Sequence, residues 1–186
     1  MLAEDSNIAL RAQGGDLSAL DELVEQHTER LFRVVRRMMN DRQEAEEIVQ
    51  EAWVRAWRGL PQFQADRPFF PWLARIAVNA ARDSWRKRRP LDFADAEGEL
   101  EHLADQVEGP EPALERQELL AQLAQAVAEL RPEQRVVLSL RYEAGFSYQE
   151  IAAIIDVPLN TVRTHLRRAK LALHQRLEVR DERLAG

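Results

Sequence analysis

A chain of 186 residues with 45% hydrophobic content is long enough for one ordinary domain or two small ones, and it excludes disorder throughout. It has no cysteine, which removes disulfides and thiolate metal sites, and its four histidines (His27, His102, His165 and His174) are too scattered to suggest a metal centre. Charges interrupt every apolar run, the opening MLAEDSNIALRAQGGD is acidic where a signal peptide is basic, and the net charge is -6, so a soluble, cytoplasmic protein without membrane insertion is expected.

Only seven glycines stand among many Ala, Leu, Glu, Arg and Gln, and no segment alternates convincingly at strand period. The expected fold is all-α. Leu17 to Met39 is predicted as a long helix starting after Gly14, Gly15 and Asp16. A second helix begins near Asp41. Its Ala45, Ile48, Val49, Ala52, Trp53, Ala56 and Trp57 follow the i, i+3, i+4, i+7 rule, which makes both tryptophans core candidates. Gln43, Glu47, Gln50, Glu51 and Arg58 fall on the opposite side, and Gly59 and Pro61 end the helix.

After the loop PQFQADRPFFP, Pro71 sits in the first turn of a third helix that Pro90 stops. At about 100° per residue, Leu73, Ile76, Ala77, Ala80 and Ser84 share one arc. Arg75, Asn79, Arg82 and Arg86 share the other, continued by Lys87, Arg88 and Arg89. Aligned cations can lie along a phosphate backbone while one amide reads a base edge. A solvated helix end whose arginines complement the macrodipole explains this helix slightly better when it is taken alone. Phe69, Phe70 and Trp72 lie in or beside the preceding loop, where an aromatic face could stack on a base or anchor the loop to the core.

Residues 91–118 carry ten acidic residues against one basic, together with Gly98, Gly109, Pro110 and Pro112. This stretch predicts an acidic flexible linker over residues 91–113 that divides the chain into helical domains at 1–90 and 114–186. In the second domain, Leu114 to Leu130 is apolar at Leu119, Leu120, Leu123, Val127 and Leu130. Pro132 opens a further helix that Gly145 ends. Ser147-Tyr148-Gln149-Glu150 has the pattern of a capping box for a short helix, and a tight turn at Asp156 and Val157 leads to Pro158 and a last helix reaching about Leu177. Short helix, tight turn and longer helix is the spacing of a helix-turn-helix. Val162, Leu166, Ala169 and Leu173 line a docking face, whereas Asn160, Thr164, Arg167 and Arg168 line the opposite one, flanked by Thr161, Arg163 and Lys170. Short polar side chains approach base edges, and arginines bridge guanine or phosphate. No nucleophile beside a base, phosphate-binding glycine loop or metal cluster is evident, so no catalysis, cofactor or small-molecule substrate is expected.

Taken together, DRQEAEEIVQEAWVRAWRGLPQF, FFPWLARIAVNAARDSWRKRR and LRPEQRVVLSLRYEAGFSYQEIAAIIDVPLNTVRTHLRRAKLAL resemble, in that order, three segments of the bacterial sigma-70 family, specifically its small extracytoplasmic-function group. The resemblance implies a specificity factor for core RNA polymerase with regions 2 and 4 of that family. Glu47, Gln50 and Glu51 would meet the β′ clamp helices, and further contacts would reach the β flap. Asn79, with the loop from Gln64 to Phe70, would capture a base of the −10 element. Arg82, Arg86, Lys87 and Arg88 would hold the nearby backbone, and Phe69 and Phe70 would belong to the same site. Asn160, Thr161, Arg163, Thr164, Arg167 and Arg168 would read the −35 element. An anti-sigma factor is an implied further partner. The linker either threads the polymerase as a nucleic-acid mimic or serves as a plain tether.

Overall fold

The computed structural model describes residues 2–88 and 112–184, and the segment 91–111 of the expected linker lies outside the described residues. No strand occurs among the described residues, as an all-α reading requires. The first helix, α1 (Leu2–Gln13), is not among those the periodicity predicts. It buries Ile8, Ala9 and Ala12 against the next helix. Gly15 then turns the chain at φ 92°, a left-handed conformation that costs glycine little.

Asp16 caps α2 (Leu17–Met38) by accepting hydrogen bonds from the backbone N–H groups of Ser18 and Ala19. The same carboxylate receives Arg11 Nη2 at 2.8 Å. Bonds from Ser18, Arg11 and Ala19 lower its pKa from 3.8 to about 2. A depressed carboxyl pKa contributes stability that is present above its unfolded value and lost as pH falls through the folded one. The advantage of the wild-type chain over Asp16→Asn in urea unfolding should therefore hold above about pH 4 and vanish by about pH 2. An advantage that does not change over this window would show that the cap is not the source.

Along α2, Ala19, Leu23, His27, Leu31, Val34, Val35 and Met38 are buried at helical spacing. Asp41 caps α3 (Arg42–Gly59), which buries Ala45, Ile48, Val49, Ala52 and Ala56. Trp53 is half-buried, but Trp57 is 41% exposed and is not a core residue. The difference is angular: at about 100° per residue, Trp53 lies about 80° from the centre of the arc those five residues form and Trp57 about 120°. A short 3-10 turn, Leu60–Gln62, leads to α4 (Phe69–Arg88).

The second half begins with α5 (Pro112–Ala128) and α6 (Pro132–Tyr142), followed by α7 (Tyr148–Ile155) and α8 (Leu159–Leu184). Gly145, at φ 75°, closes the end of α6. There the N–H of Ala144 reaches back to Ser139 O and that of Phe146 to Leu140 O. In α5 the apolar positions divide. Ala126 and, just past the helix, Leu130 are buried, whereas Leu119, Leu120 and Leu123 are exposed.

The two halves are not separate bodies. α2 packs on α6 and α4 on α7, and a single buried cluster runs from Ile8 to Leu166 through both. Arg30 Nη2 donates to Ala144 O at 2.7 Å, Arg37 pairs with Glu143 at 2.8 Å, and Ser139 Oγ donates to Val34 O. Arg135, only 7% exposed, donates to Asn40 Oδ1 and to Ala128 O, and burial lowers its pKa.

Candidate nucleic-acid and polymerase interfaces

The helix-turn-helix forms as its sequence signals require. Ser147 Oγ accepts from Glu150 N at 3.2 Å, and Glu150 accepts from Ser147 N at 2.7 Å. This capping box starts α7, and hydrogen bonding to the Glu150 carboxylate from the Ser147 side chain, and then from the Ser147 backbone N–H, lowers its pKa. Asp156 ends α7 at φ 56°, in the left-handed region that Asp and Asn tolerate better than most side chains. Pro158 then opens α8, its carbonyl accepting from Thr161 N at 2.9 Å.

Along α8, Val162, Leu166 and Ala169 are fully buried and Leu173 is half-buried, so the docking face is where its periodicity puts it. Asn160, Arg163, Thr164, Arg167 and Arg168 are exposed, with Thr161 half-buried beside them. Arg163 Nη1 lies 3.3 Å from Asn160 Oδ1, and Thr164 Oγ1 donates to Asn160 O at 2.8 Å. The N-terminal end of the helix is thus a surface of short polar groups followed by guanidinium groups.

On α4, Leu73, Ala77 and Ala80 are buried, and so are Ala74, Val78 and Ala81. The buried side is wider than one arc because α3 covers one flank and α7 another. Asn79 and Arg75 remain exposed, as do Arg86 and Lys87, while the side chain of Arg88 lies outside the described residues. Arg82 departs from the expected exposed row. It is half-buried and its Nη1 donates to Ile155 O at 3.1 Å, at the end of α7. The same cation lines a small cleft of about 90 Å³ with Trp85, Glu133 and His165.

Phe69 and Phe70 are likewise not at the surface, being 1% and 3% exposed. α4 begins at Phe69, so both rings fall in its first turn and face inward rather than lying in a loop. Phe69 packs against His27, Phe63 and Trp72 at 5.4, 5.5 and 5.5 Å between ring centroids. Phe70 lies under the Arg30 guanidinium, 3.9 Å from its ring centre, and stacks on Phe146 at 5.8 Å. Neither ring presents a face to a base in this arrangement. Trp72, half-buried and 4.8 Å from Phe63, anchors the loop.

Glu47, Gln50 and Glu51 stand exposed on α3, away from the buried arc. Glu51 accepts from Arg55 Nε at 2.7 Å, and Arg55 Nη1 reaches Asp83 Oδ2 on α4 at 2.8 Å. The other oxygen of Asp83 receives Arg86. These bonds, from Arg55 first and then Arg86, lower the Asp83 pKa, and Glu51 and Asp83 raise that of Arg55. Asp83 is not among the residues that the sequence singles out, although it lies about 40° round the helix from Asn79. Arg55 was legible as the i+4 partner of Glu51. Arg30 and Phe146 left no such signal, because their contacts join opposite halves of the chain.

The described residues contain no group of His, Cys, Asp and Glu able to hold a metal, and no helix long and apolar enough to cross a membrane. Two family models match: Sigma-70 region 2 over residues 23–90 and Sigma-70 region 4 over residues 120–173. The RNA polymerase sigma-H factor of Pseudomonas aeruginosa is 36% identical, with 94% of each chain covered. The ECF RNA polymerase sigma-E factor of Escherichia coli is 33% identical at the same coverage, and the ECF RNA polymerase sigma factor SigW of Bacillus subtilis is 33% identical over 88% of this chain and 91% of its own. Among solved structures, CnrH in complex with the cytosolic domain of CnrY has 28% identity and a TM-score of 0.69, covering 94% of this chain and 97% of that one. The chain belongs to the extracytoplasmic-function group of the sigma-70 family of RNA polymerase sigma factors, which are transcription regulators rather than enzymes.

Proposed function

We propose that this sigma factor joins core RNA polymerase in the cytoplasm, directs it to promoters with a −10 and a −35 element, and is held in reserve by an anti-sigma factor. The observation that carries the reading is α8, whose buried Val162, Leu166 and Ala169 leave the row from Asn160 to Arg168 exposed for a major groove. In this reading the −35 element meets Asn160, Thr161, Arg163, Thr164, Arg167 and Arg168. The −10 element meets Asn79, with Arg86, Lys87 and Arg88 on its backbone, and Arg82 joins them on leaving Ile155. Glu47, Gln50 and Glu51 face cationic groups of the β′ clamp helices, and the second domain meets the β flap. A region 2 domain over residues 1–90, an acidic linker over 91–113 and a region 4 domain over 114–186 divide this work. CnrH was solved with the cytosolic domain of CnrY bound to it, and a protein segment held by that relative supports a protein partner here.

Run-off transcription with purified core polymerase on a promoter library, with and without the chain, tests the reading. Promoter-specific transcripts are expected only when the chain is present; their absence with folded protein rejects it. Within that assay, Asn79→Ala should slow open-complex formation about tenfold, the scale of one lost base-edge contact. Polymerase affinity should not change. Because Asn79 is exposed inside a helix, alanine there should preserve or slightly raise stability, so equal loss of both activities would signify a structural role instead.

A further inference from the structure

Asp83 is an acidic group on the helix face expected to meet DNA phosphates, where a lone carboxylate would repel them. It is not alone. One of its oxygens holds Arg55 of α3 at 2.8 Å and the other holds Arg86 of its own helix. Arg55 in turn holds Glu51 at 2.7 Å. The four side chains therefore alternate in sign, from the surface assigned above to polymerase to the cation assigned to the DNA backbone.

We propose that Glu51, Arg55, Asp83 and Arg86 form a relay through which polymerase docking releases Arg86 to DNA, with Arg55 and Asp83 acting as positioning residues. The inference rests on the sigma-factor reading. In the free chain Arg55 divides its fork between two carboxylates, which leaves Asp83 with charge to hold Arg86. A polymerase cation that takes Glu51 turns Arg55 wholly to Asp83. The carboxylate, better neutralised, then holds Arg86 less tightly, and the guanidinium is available to phosphate. Neighbouring charge-assisted bonds polarise one another, so a change at one end is felt along the row. Linkage makes the effect reciprocal: DNA that draws Arg86 away must strengthen polymerase binding by the same factor. Arginine is required at the junction because its planar fork reaches two carboxylates, whereas a lysine ammonium is a point charge.

The test measures the affinity of fluorescently labelled full-length chain for core polymerase, with and without saturating fork-junction DNA built from a promoter recovered in the run-off assay. The ratio of the two affinities is the coupling. Arg55→Lys, which preserves net charge, and Asp83→Asn should each reduce that ratio about two- to fivefold, the scale of one partly exposed ion pair. The double variant should reduce it no further than either single one, and Asp83→Glu should retain most of it. An unchanged ratio in both single variants, or reductions that multiply in the double, would overturn the relay while leaving the sigma reading intact. Failure of the wild-type chain to bind polymerase at all would overturn both.

Discussion

Phe69→Ala should destabilise the protein by about 3–5 kcal/mol, the range for deleting a buried phenylalanine ring. The ring is 1% exposed and is the common neighbour of His27, Trp53, Phe63 and Trp72. These four come from α2, α3, the short loop after it and α4, so no single segment can move in to fill the space without disturbing the others. The expected observation is a large drop in the urea midpoint by circular dichroism. Trp57→Ala, at a 41% exposed site on the same domain, should fall within roughly 0.5 kcal/mol of wild type. A Phe69→Ala loss below about 1 kcal/mol would mean that the aromatic cluster is loosely packed and that the ring has another role.

Arg163→Ala combined with Arg167→Ala should weaken binding of the polymerase complex to a promoter duplex at least about 30-fold, taking about 1 kcal/mol as the lower bound for each lost arginine contact. Both side chains are exposed, so the folded state should be little affected. The single variants separate two roles for each arginine. One that holds phosphate should reduce the slope of log affinity against log salt by about 1 and weaken all promoters alike. One that reads a base should leave that slope nearly unchanged and relax preference at one position of the −35 element. A change smaller than threefold in the double variant would remove α8 from the DNA surface.

Much of the second half was legible because its signals are local. The capping box at Ser147, the stop at Asp156 and the period of Val162, Leu166 and Ala169 involve residues a few positions apart, and all three appear as expected. The family was legible for a related reason: three segments in a fixed order carry more information than any one of them. What escaped was set by partners distant in the chain. Arg82 belongs to the exposed row by helical angle, yet Ile155, far along the chain, supplies a carbonyl that draws it in. Phe69 and Phe70 read as loop aromatics because Pro68 and Pro71 bracket them; the helix begins at Phe69, and the first turn faces the core. α1 was missed because two of the three apolar residues it buries, Ile8, Ala9 and Ala12, are alanines, which make a weak stripe; packing on α2, α4 and the 3-10 turn sustains it. Asp83 was overlooked because an acid on a basic face has no obvious purpose until Arg55 is placed beside it.

Three of the bonds that cross between the two halves end on main-chain oxygens: Arg30 on Ala144, Ser139 on Val34 and Arg82 on Ile155. Any residue offers a carbonyl, so the receiving positions can drift in sequence without losing the bond, whereas the donors cannot. These three bonds are therefore written in Arg30, Arg82 and Ser139. A chimaera that takes one half from a relative keeps these three bonds if the donor side chains travel with it, whereas the Arg37–Glu143 and Arg135–Asn40 bonds need both partners and the apolar seam needs its packing.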